Sequence, residues 1–138
     1  MRAGKKLRPA QHRAHFFPEP RIAVGRLLRE RRVASAAIDL SDGLSTDLSH
    51  ICEESGVGAV VYAESVPLAK GATLDLALHG GEDYELLFTA APRTRVAEEI
   101  AGVRVTRLGE IIRGDRVFLS DREGRRRPMP PRGWEHFR

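Results

Sequence analysis

Residues 34–52 read ASAAIDLSDGLSTDLSHIC, and this stretch decides the fold class. The first part, residues 34–40, is short, small and mostly apolar, which favours a buried strand over a helix. From Leu44 onward the period becomes helical, since Leu44, Leu48 and Ile51 lie four and then three positions apart. A buried strand that leads directly into an amphipathic helix predicts a layered α/β domain.

The rest of the chain continues this alternation. A helix is predicted from Arg21, and the side chains expected to face its core are Ile22, Val24, Leu27 and Leu28. Further predictions are strands over 57–62 and 84–88, helices over 73–79 and 93–100, and strands over 103–112 and 116–119. Glycines at 56 and 80–81 mark the C-terminal ends of the helices predicted before them.

The length of 138 residues corresponds to one domain. Residues 1–19 contain Pro9 and Pro18, are rich in basic side chains and lack a hydrophobic period, so they are predicted to be a lead or linker, with the domain proper over 20–138. The net charge is +4, yet the segment from Asp39 to Glu85 holds ten carboxylates and Lys70 as its only Lys or Arg. Basic termini on an acidic body do not favour nucleic acid as a partner.

The single cysteine, Cys52, excludes an internal disulfide and a CxxC site, and it fits a reducing compartment. No run approaches the 18 apolar residues of a membrane span, and no apolar segment of a secretory signal follows the basic N-terminus. We therefore expect a cytoplasmic protein.

The segment Asp39-Leu40-Ser41-Asp42-Gly43 lies where the predicted strand meets the predicted helix. Ligands and phosphates bind at such junctions in α/β sheets. Two carboxylates there would need a hard cation, and Mg²⁺ takes one or two carboxylates plus phosphates and water. The alternative is that Asp42 or Ser41 caps the helix. Asp47 and His50, further along, are expected on its solvent face.

The segment 80–89, GGEDYELLFT, concentrates three acids in four residues after a double glycine. One interpretation is a hairpin-like turn before a strand. The functional one has Glu82 or Asp83 facing a cationic or hydrogen-bonding substrate, with Tyr84 anchored in the core beside Leu86 and Phe88.

Several other classes of enzyme and binding protein are excluded because the chain lacks their motifs. The chain has no GxxxxGK[ST] loop, no Gly-x-Ser-x-Gly elbow and no EF-hand spacing, and its Gly56-Val57-Gly58 follows a helix rather than a strand. Its five histidines show no zinc-ligand spacing.

Three segments together resemble the thiamine-monophosphate kinase family: AAIDLSDGLSTDLSHICEESGVGA at 36–59, GGEDYELLFT at 80–89 and GWEHF at 133–137. That family belongs to the superfamily of aminoimidazole ribonucleotide synthetase. The resemblance spans residues 18–137 and implies a C-terminal domain of that type, with a mixed sheet and helices packed on it.

The resemblance also implies ATP-dependent phosphorylation of thiamine monophosphate to thiamine diphosphate with Mg²⁺. It makes Asp39 and Asp42 magnesium ligands, Ser41 an ATP contact, and Glu82 and Trp134 contacts of thiamine monophosphate. No separate acid–base residue is implied, because metal ions and positioning of the phosphates carry the reaction.

In that family an N-terminal domain supplies further metal ligands, the rest of the ATP site and the contact of a homodimer. We therefore expect this chain to be the C-terminal half of such an enzyme. The alternative is a non-catalytic or nucleotide-binding module that needs a separately encoded N-terminal partner. Another superfamily activity, such as selenophosphate synthesis, is disfavoured by the GGEDYELLF segment.

Overall fold

The computed structural model describes residues 18–132. Within this range the helices are α1 (Ile22–Glu30), α2 (Leu44–Ser55) and α3 (Leu74–His79), with a 3-10 turn over Ala63–Ser65. The strands are β1 (Ala36–Asp39), β2 (Gly58–Tyr62), β3 (Leu86–Thr89), β4 (Glu99–Ile100), β5 (Val103–Arg104), β6 (Gly109–Ile112), β7 (Val117–Ser120) and β8 (Arg126–Pro128). Across residues 18–132, no helix has the length and apolar character to cross a bilayer.

The strands form one larger sheet and two small ones. The larger sheet has the order β6-β2-β7-β8, in which β2 runs antiparallel to β6 and parallel to β7. Strands β1 and β3 form an antiparallel ribbon, with Asp39 opposite Leu86. Strands β4 and β5 form a hairpin. The predicted α/β class with a mixed sheet is confirmed.

Two apolar clusters hold these layers together. The larger one joins α2 and α3 to the inner face of the four-stranded sheet, and its buried members are Leu44, Leu48, Cys52, Ala59, Val61, Val66, Leu78, Val117, Leu119 and Met129. The smaller one is built on Val24, Leu28 and Ile100. The β1–β3 ribbon joins the two clusters, because Leu87 packs on the larger and Leu86 on the smaller.

Helix α2 follows the sequence prediction closely. Leu44, Leu48, Ile51 and Cys52 are buried, as their helical spacing requires. The helix ends where Gly56 takes the left-handed conformation, with φ 63°, and its N–H bonds back to the last turn.

The helix predicted over 93–100 is wrong. Residues 99–100 instead form β4, which pairs with β5 through a two-residue turn at Ala101 and Gly102. Both turn residues have positive φ, 51° and 76°, as a tight hairpin requires. Burial of Ile100 against α1 stabilises this arrangement and overrides the local helical period.

Three smaller expectations also need correction. The strand predicted over 103–112 is two strands, β5 and β6, separated by residues 105–108. Strand β1 is only half-buried, since Ala37 and Asp39 are exposed. Ile22 does not face the core, because its position at the start of α1 leaves it 76% exposed.

Candidate functional site

The loop between β1 and α2 is Ser41-Asp42-Gly43, with Asp39 and Leu40 leading into it. The Leu40 N–H donates to the Glu85 carbonyl at 2.8 Å and so extends the ribbon by one residue. Gly43 occupies the N-cap position of α2 with φ 110°. A side chain there would be strained, and a Cβ would lie 3.0 Å from the Gly80 carbonyl oxygen.

Asp47 holds this loop, and its expected place on the solvent face of α2 is wrong. The residue is 1% exposed. One carboxylate oxygen, Oδ2, accepts hydrogen bonds from the backbone N–H groups of Asp42 and Gly43, each at 3.1 Å. The Gly43 N–H is one of the donors that a helix N-terminus leaves without an intrahelical partner, and the Asp42 N–H directly precedes it. The N-cap position itself belongs to Gly43, so the alternative in which Asp42 or Ser41 occupies it is wrong.

Burial of the carboxyl group raises the pKa of Asp47, against the two backbone N–H donors that stabilise its charged form. The nearby charge of Asp42 raises that pKa further. Burial thus disfavours the charged form of Asp47, while its hydrogen bonds to the Asp42 and Gly43 N–H groups stabilise that form beneath the loop.

The second acidic segment packs directly on this loop. The Glu82 N–H donates to the Ser41 carbonyl at 2.8 Å, and the Tyr84 N–H donates to the Leu40 carbonyl at 2.8 Å. A Cβ on Gly81 would lie 2.5 Å from the Ser41 carbonyl oxygen, so glycine allows this close approach. The structure therefore brings together two segments that sequence reasoning treated separately.

The backbone between Gly81 and β3 is unusual. Glu82 and Tyr84 both have positive φ, 68° and 51°, which is uncommon for residues other than glycine. Tyr84 is 43% exposed, so its predicted anchoring in the core is wrong. The segment also links α3 to β3 rather than two paired strands, so it is not a hairpin. Residues held in this conformation cluster at functional sites.

The three acids of this segment have different surroundings. Glu85 forms a bidentate ion pair with Arg21 at the start of α1, with Arg21 Nε to Oε2 at 2.8 Å and Nη2 to Oε1 at 2.6 Å. The pKa of Asp83 is raised, first by partial burial of the Asp83 carboxyl group and second by the charge of Glu85. Glu85 is therefore a structural residue, while Glu82 and Asp83 lie beside the Ser41 loop.

A buried group of hydrogen-bonded polar residues follows the same loop along the chain. Ser45, in the first turn of α2, is 0% exposed. Its hydroxyl oxygen lies 2.8 Å from Nδ1 of His79 and accepts from the backbone N–H of Arg132 at 3.3 Å. Burial lowers the pKa of His79, against the opposing charge of Asp75.

The sequence-derived site residues are therefore placed as follows. Asp39, Ser41, Asp42 and Glu82 lie on the two adjoining segments. Trp134 lies outside the described residues. The sequence did not predict that Asp47, Ser45 and His79 contact the site loops. Two signals were visible: an acid in the first turn of α2, and a histidine directly before the double glycine. The Arg21–Glu85 pair leaves no local signal.

The donor set of these loops fits Mg²⁺. In residues 18–132 no group of three or more metal-ligating side chains is assembled. Two carboxylates, the exposed Asp39 and the half-buried Asp42, are instead presented at one loop. A magnesium ion that takes its remaining ligands from phosphates and water needs only one or two carboxylates from the protein.

A cavity of about 330 Å³ lies elsewhere, beside the middle of α2, where Ser49 and Cys52 face Arg116 and Met129. It contains none of the sequence-derived site residues. Burial raises the pKa of the Cys52 thiol, which keeps it protonated and unreactive.

Comparison with known proteins identifies the class first. Residues 2–122 match a family model described as AIR synthase related protein, C-terminal domain. This match covers most of the 138 residues, so the chain belongs to that family.

Individual relatives indicate which enzymes within that family the chain resembles. The chain is 40% identical over 135 residues to the thiamine-monophosphate kinase of Salmonella typhimurium, covering 89% of this chain and 41% of that protein. It is 36% identical to the Escherichia coli enzyme, with the same coverage. The predicted family resemblance is confirmed. The chain spans about two-fifths of the length of these curated relatives.

Solved structures agree with the fold. The structure described as "AaThiL complexed with AMPPCP and TMP" superposes with a TM-score of 0.76 at 30% identity, covering 97% of this chain and 44% of that one. The thiamine-monophosphate kinase of Stenotrophomonas maltophilia gives 0.66 at 42% identity, covering 74% of this chain and 35% of that one.

Proposed function

We propose that this chain is the C-terminal part of a thiamine-monophosphate kinase, which transfers the γ-phosphoryl group of ATP to thiamine monophosphate. The observation that carries the proposal is the junction of the two acidic segments, where the Glu82 N–H donates to the Ser41 carbonyl at 2.8 Å. Relatives that are thiamine-monophosphate kinases support the reaction. The complex of one structural neighbour with AMPPCP and TMP supports the two substrates.

The reaction joins two anions. A phosphate oxygen of thiamine monophosphate forms a bond to the γ-phosphorus of ATP, and the bond from that phosphorus to the β-phosphate oxygen breaks. The products are thiamine diphosphate and ADP. The acceptor is already a nucleophile at neutral pH, so the protein mainly positions the two phosphates and balances their charge.

Asp39 and Asp42 would hold Mg²⁺ in this proposal. The ion, when bound, neutralises charge on the phosphate oxygens. Asp47 fixes the backbone of Asp42 through its N–H, so the Asp42 carboxylate is presented from an anchored loop. Ser41, between the two aspartates, would contact ATP through its hydroxyl.

Glu82 and Trp134 would contact thiamine monophosphate. Glu82 stands in a loop whose backbone is bonded to Ser41, so acceptor and donor sites would share one scaffold. An indole ring suits the face of a cationic thiazolium. Trp134 comes two residues after Arg132, whose N–H is bonded to Ser45 beside this loop.

The chain is proposed to act together with the part of the kinase that its relatives carry outside the matched region, as a cytoplasmic enzyme. A homodimer of the complete enzyme stays a prediction. The other candidate from the sequence, a non-catalytic nucleotide-binding module, would bind ATP without turnover.

The test is formation of thiamine diphosphate from ATP, Mg²⁺ and thiamine monophosphate, with the chain alone and with the remaining region of a relative added. Asp42→Asn removes one proposed metal ligand, and Asp115→Asn is the matched control in the exposed β6–β7 turn. We expect product with the added region, and its loss only in Asp42→Asn. Equal product from both variants would contradict the metal role of Asp42. Nucleotide binding without product under every condition would favour the module.

A further inference from the structure

The start of α2 is the kind of helix end at which proteins commonly bind phosphate. A helix begins with four N–H groups that have no partner within the helix, and its aligned peptide dipoles add positive charge at this end. Phosphates bind at such ends for both reasons. In α2 the four N–H groups belong to residues 43–46, and the N–H of Asp42 directly precedes them.

A side chain of the same helix occupies two of these donors. Oδ2 of Asp47 accepts from the N–H groups of Asp42 and Gly43, each at 3.1 Å. Asp47 is 1% exposed, so its carboxylate meets these donors from inside the protein. A carboxylate oxygen is an anionic acceptor, as a phosphate oxygen is. The Asp47 side chain therefore takes the place of an external anion.

The remaining N–H groups at this helix end are also closed to a ligand. Leu44 and Ser45 are 3% and 0% exposed, so their backbone is shielded from solvent. The Thr46 N–H donates to the Gly43 carbonyl at 3.0 Å. Within the described stretch 42–46, every N–H group is thus either bonded inside the protein or buried.

The surroundings of Gly43 favour a cation over an anion. A Cβ on Gly43 would lie 3.0 Å from the Gly80 carbonyl oxygen and 3.2 Å from the His79 carbonyl oxygen. These oxygens carry partial negative charge, and the carboxylates of Asp39 and Asp42 lie at the same loop. Such a set attracts a cation and repels a phosphate that arrives without one.

We propose that Asp47 is a specificity-determining residue. By occupying the N–H groups of Asp42 and Gly43, it makes the Ser41 loop bind phosphate groups through a cation and reject metal-free anions. The ligand class is therefore a metal–phosphate complex. The effect on nucleotide rests on the proposed function. The occupation of the N–H groups does not, and it is measured with inorganic phosphate alone.

The first measurement follows the amide resonances of Asp42 and Gly43 by NMR in the isotope-labelled 138-residue chain. Inorganic phosphate is added without metal. We expect both resonances to stay in place in the unaltered chain and to shift in Asp47→Ala, where the released N–H groups can donate to phosphate. Shifts in the unaltered chain would overturn the proposal, and so would their absence in folded Asp47→Ala.

Asp47→Asn separates the hydrogen bonds from the charge. Its amide oxygen can still accept from both N–H groups, while the negative charge is lost. We expect smaller phosphate-induced shifts than in Asp47→Ala, and equal shifts would overturn the role of the hydrogen bonds. If Asp47→Ala is unfolded by circular dichroism, the comparison is between Asp47→Asn and the unaltered chain, and large shifts in Asp47→Asn would overturn that role.

Asp115→Asn is the matched control, because it removes one carboxylate from the exposed β6–β7 turn. We expect the Asp42 and Gly43 resonances of this variant to behave as in the unaltered chain. Shifts equal to those of Asp47→Asn would show that net charge excludes phosphate, which would overturn the specific role of Asp47.

The affinity for AMPPCP is then measured by calorimetry with Mg²⁺ and with a chelator. We expect the ratio of these two affinities to fall about tenfold or more in Asp47→Ala, because a bare phosphate gains charge-assisted hydrogen bonds. An unchanged ratio would overturn the specificity role. Absence of AMPPCP binding by the unaltered chain with Mg²⁺ would count against the proposed function and leave the phosphate result standing.

Discussion

Replacing Gly81 with alanine tests whether the two acidic loops touch as described. A Cβ there would lie 2.5 Å from the Ser41 carbonyl oxygen, about 1 Å inside ordinary contact distance. The same carbonyl accepts the Glu82 N–H at 2.8 Å, so neither backbone can move without disturbing that bond. Overpacking costs about 1–3 kcal/mol, and a weakened hydrogen bond adds about 1 kcal/mol. We expect Gly81→Ala to lower the free energy of unfolding by about 2–4 kcal/mol.

Gly25 provides the matched control. It lies inside α1, and a Cβ there would meet only Leu86 Cδ2, at 3.9 Å. Gly25→Ala should therefore raise stability by about 0.5–1 kcal/mol through helix propensity. Urea unfolding followed by far-UV circular dichroism gives both values, provided the slopes agree. If Gly81→Ala is as stable as the unaltered chain, the loops lie further apart than described and the reasoning fails.

Three further predictions follow from other positions. Asp47→Ala should lower the free energy of unfolding by about 2–4 kcal/mol in urea, because it leaves two backbone N–H groups unpaired. Asp47→Asn keeps an acceptor and should cost under about 1 kcal/mol. Equal losses in the two variants would contradict the described contacts. Because the pKa of folded His79 is lowered from 6.5, the unfolded chain binds the proton first as pH falls. The folded chain therefore loses stability as the pH falls below about 6.5. In His79→Asn, the difference between the urea midpoints at pH 7.5 and 5.5 should be smaller than in the unaltered chain. An unchanged difference would contradict the lowered pKa of His79. Ala101→Gly should add about 1 kcal/mol by thermal unfolding, because alanine at φ 51° is strained, and a destabilised variant would show that the turn differs.

The elements that sequence predicted well are those whose signals are local. Helix α2 combines a clear period at Leu44, Leu48 and Ile51 with a glycine at its end, and the structure shows both. Helix α3 begins where Thr73 accepts a hydrogen bond from the Leu76 N–H and ends before Gly80. Such patterns are complete within a few residues, so no distant contact is needed to read them.

The errors occur where a distant partner decides the conformation. Residues 93–100 have a helical pattern, yet Ile100 is stabilised by α1, and β4 by its pairing with β5. Tyr84 continues the alternation of Leu86 and Phe88, yet its N–H is bonded to Leu40 outside the ladder. A period within the chain carries no information about these partners.

The candidate site was predictable in composition and not in geometry. The sequence gives Asp39, Ser41, Asp42 and Glu82 by their motifs. Their meeting depends on the β1–β3 register, which pairs Asp39 with Leu86 across 47 positions (86 − 39). Asp47 was misplaced because an isolated acid on a helix is normally solvated, and only the loop's own N–H groups explain its burial.

Several departures from local rules meet at the two acidic loops. Glu82 has positive φ, Asp47 is a buried acid, and the pKa of Asp83 is raised by partial burial and by Glu85. Burial and the charge of a neighbouring carboxylate both oppose ionisation of Asp47 and of Asp83. The two loops are joined by the backbone hydrogen bonds from Glu82 to Ser41 and from Tyr84 to Leu40, and the Arg21–Glu85 pair holds the second loop to the start of α1. Two adjoining loops rich in carboxylates are suited to ligands that bring positive charge, as the magnesium ion and the thiazolium ring of the proposed function would.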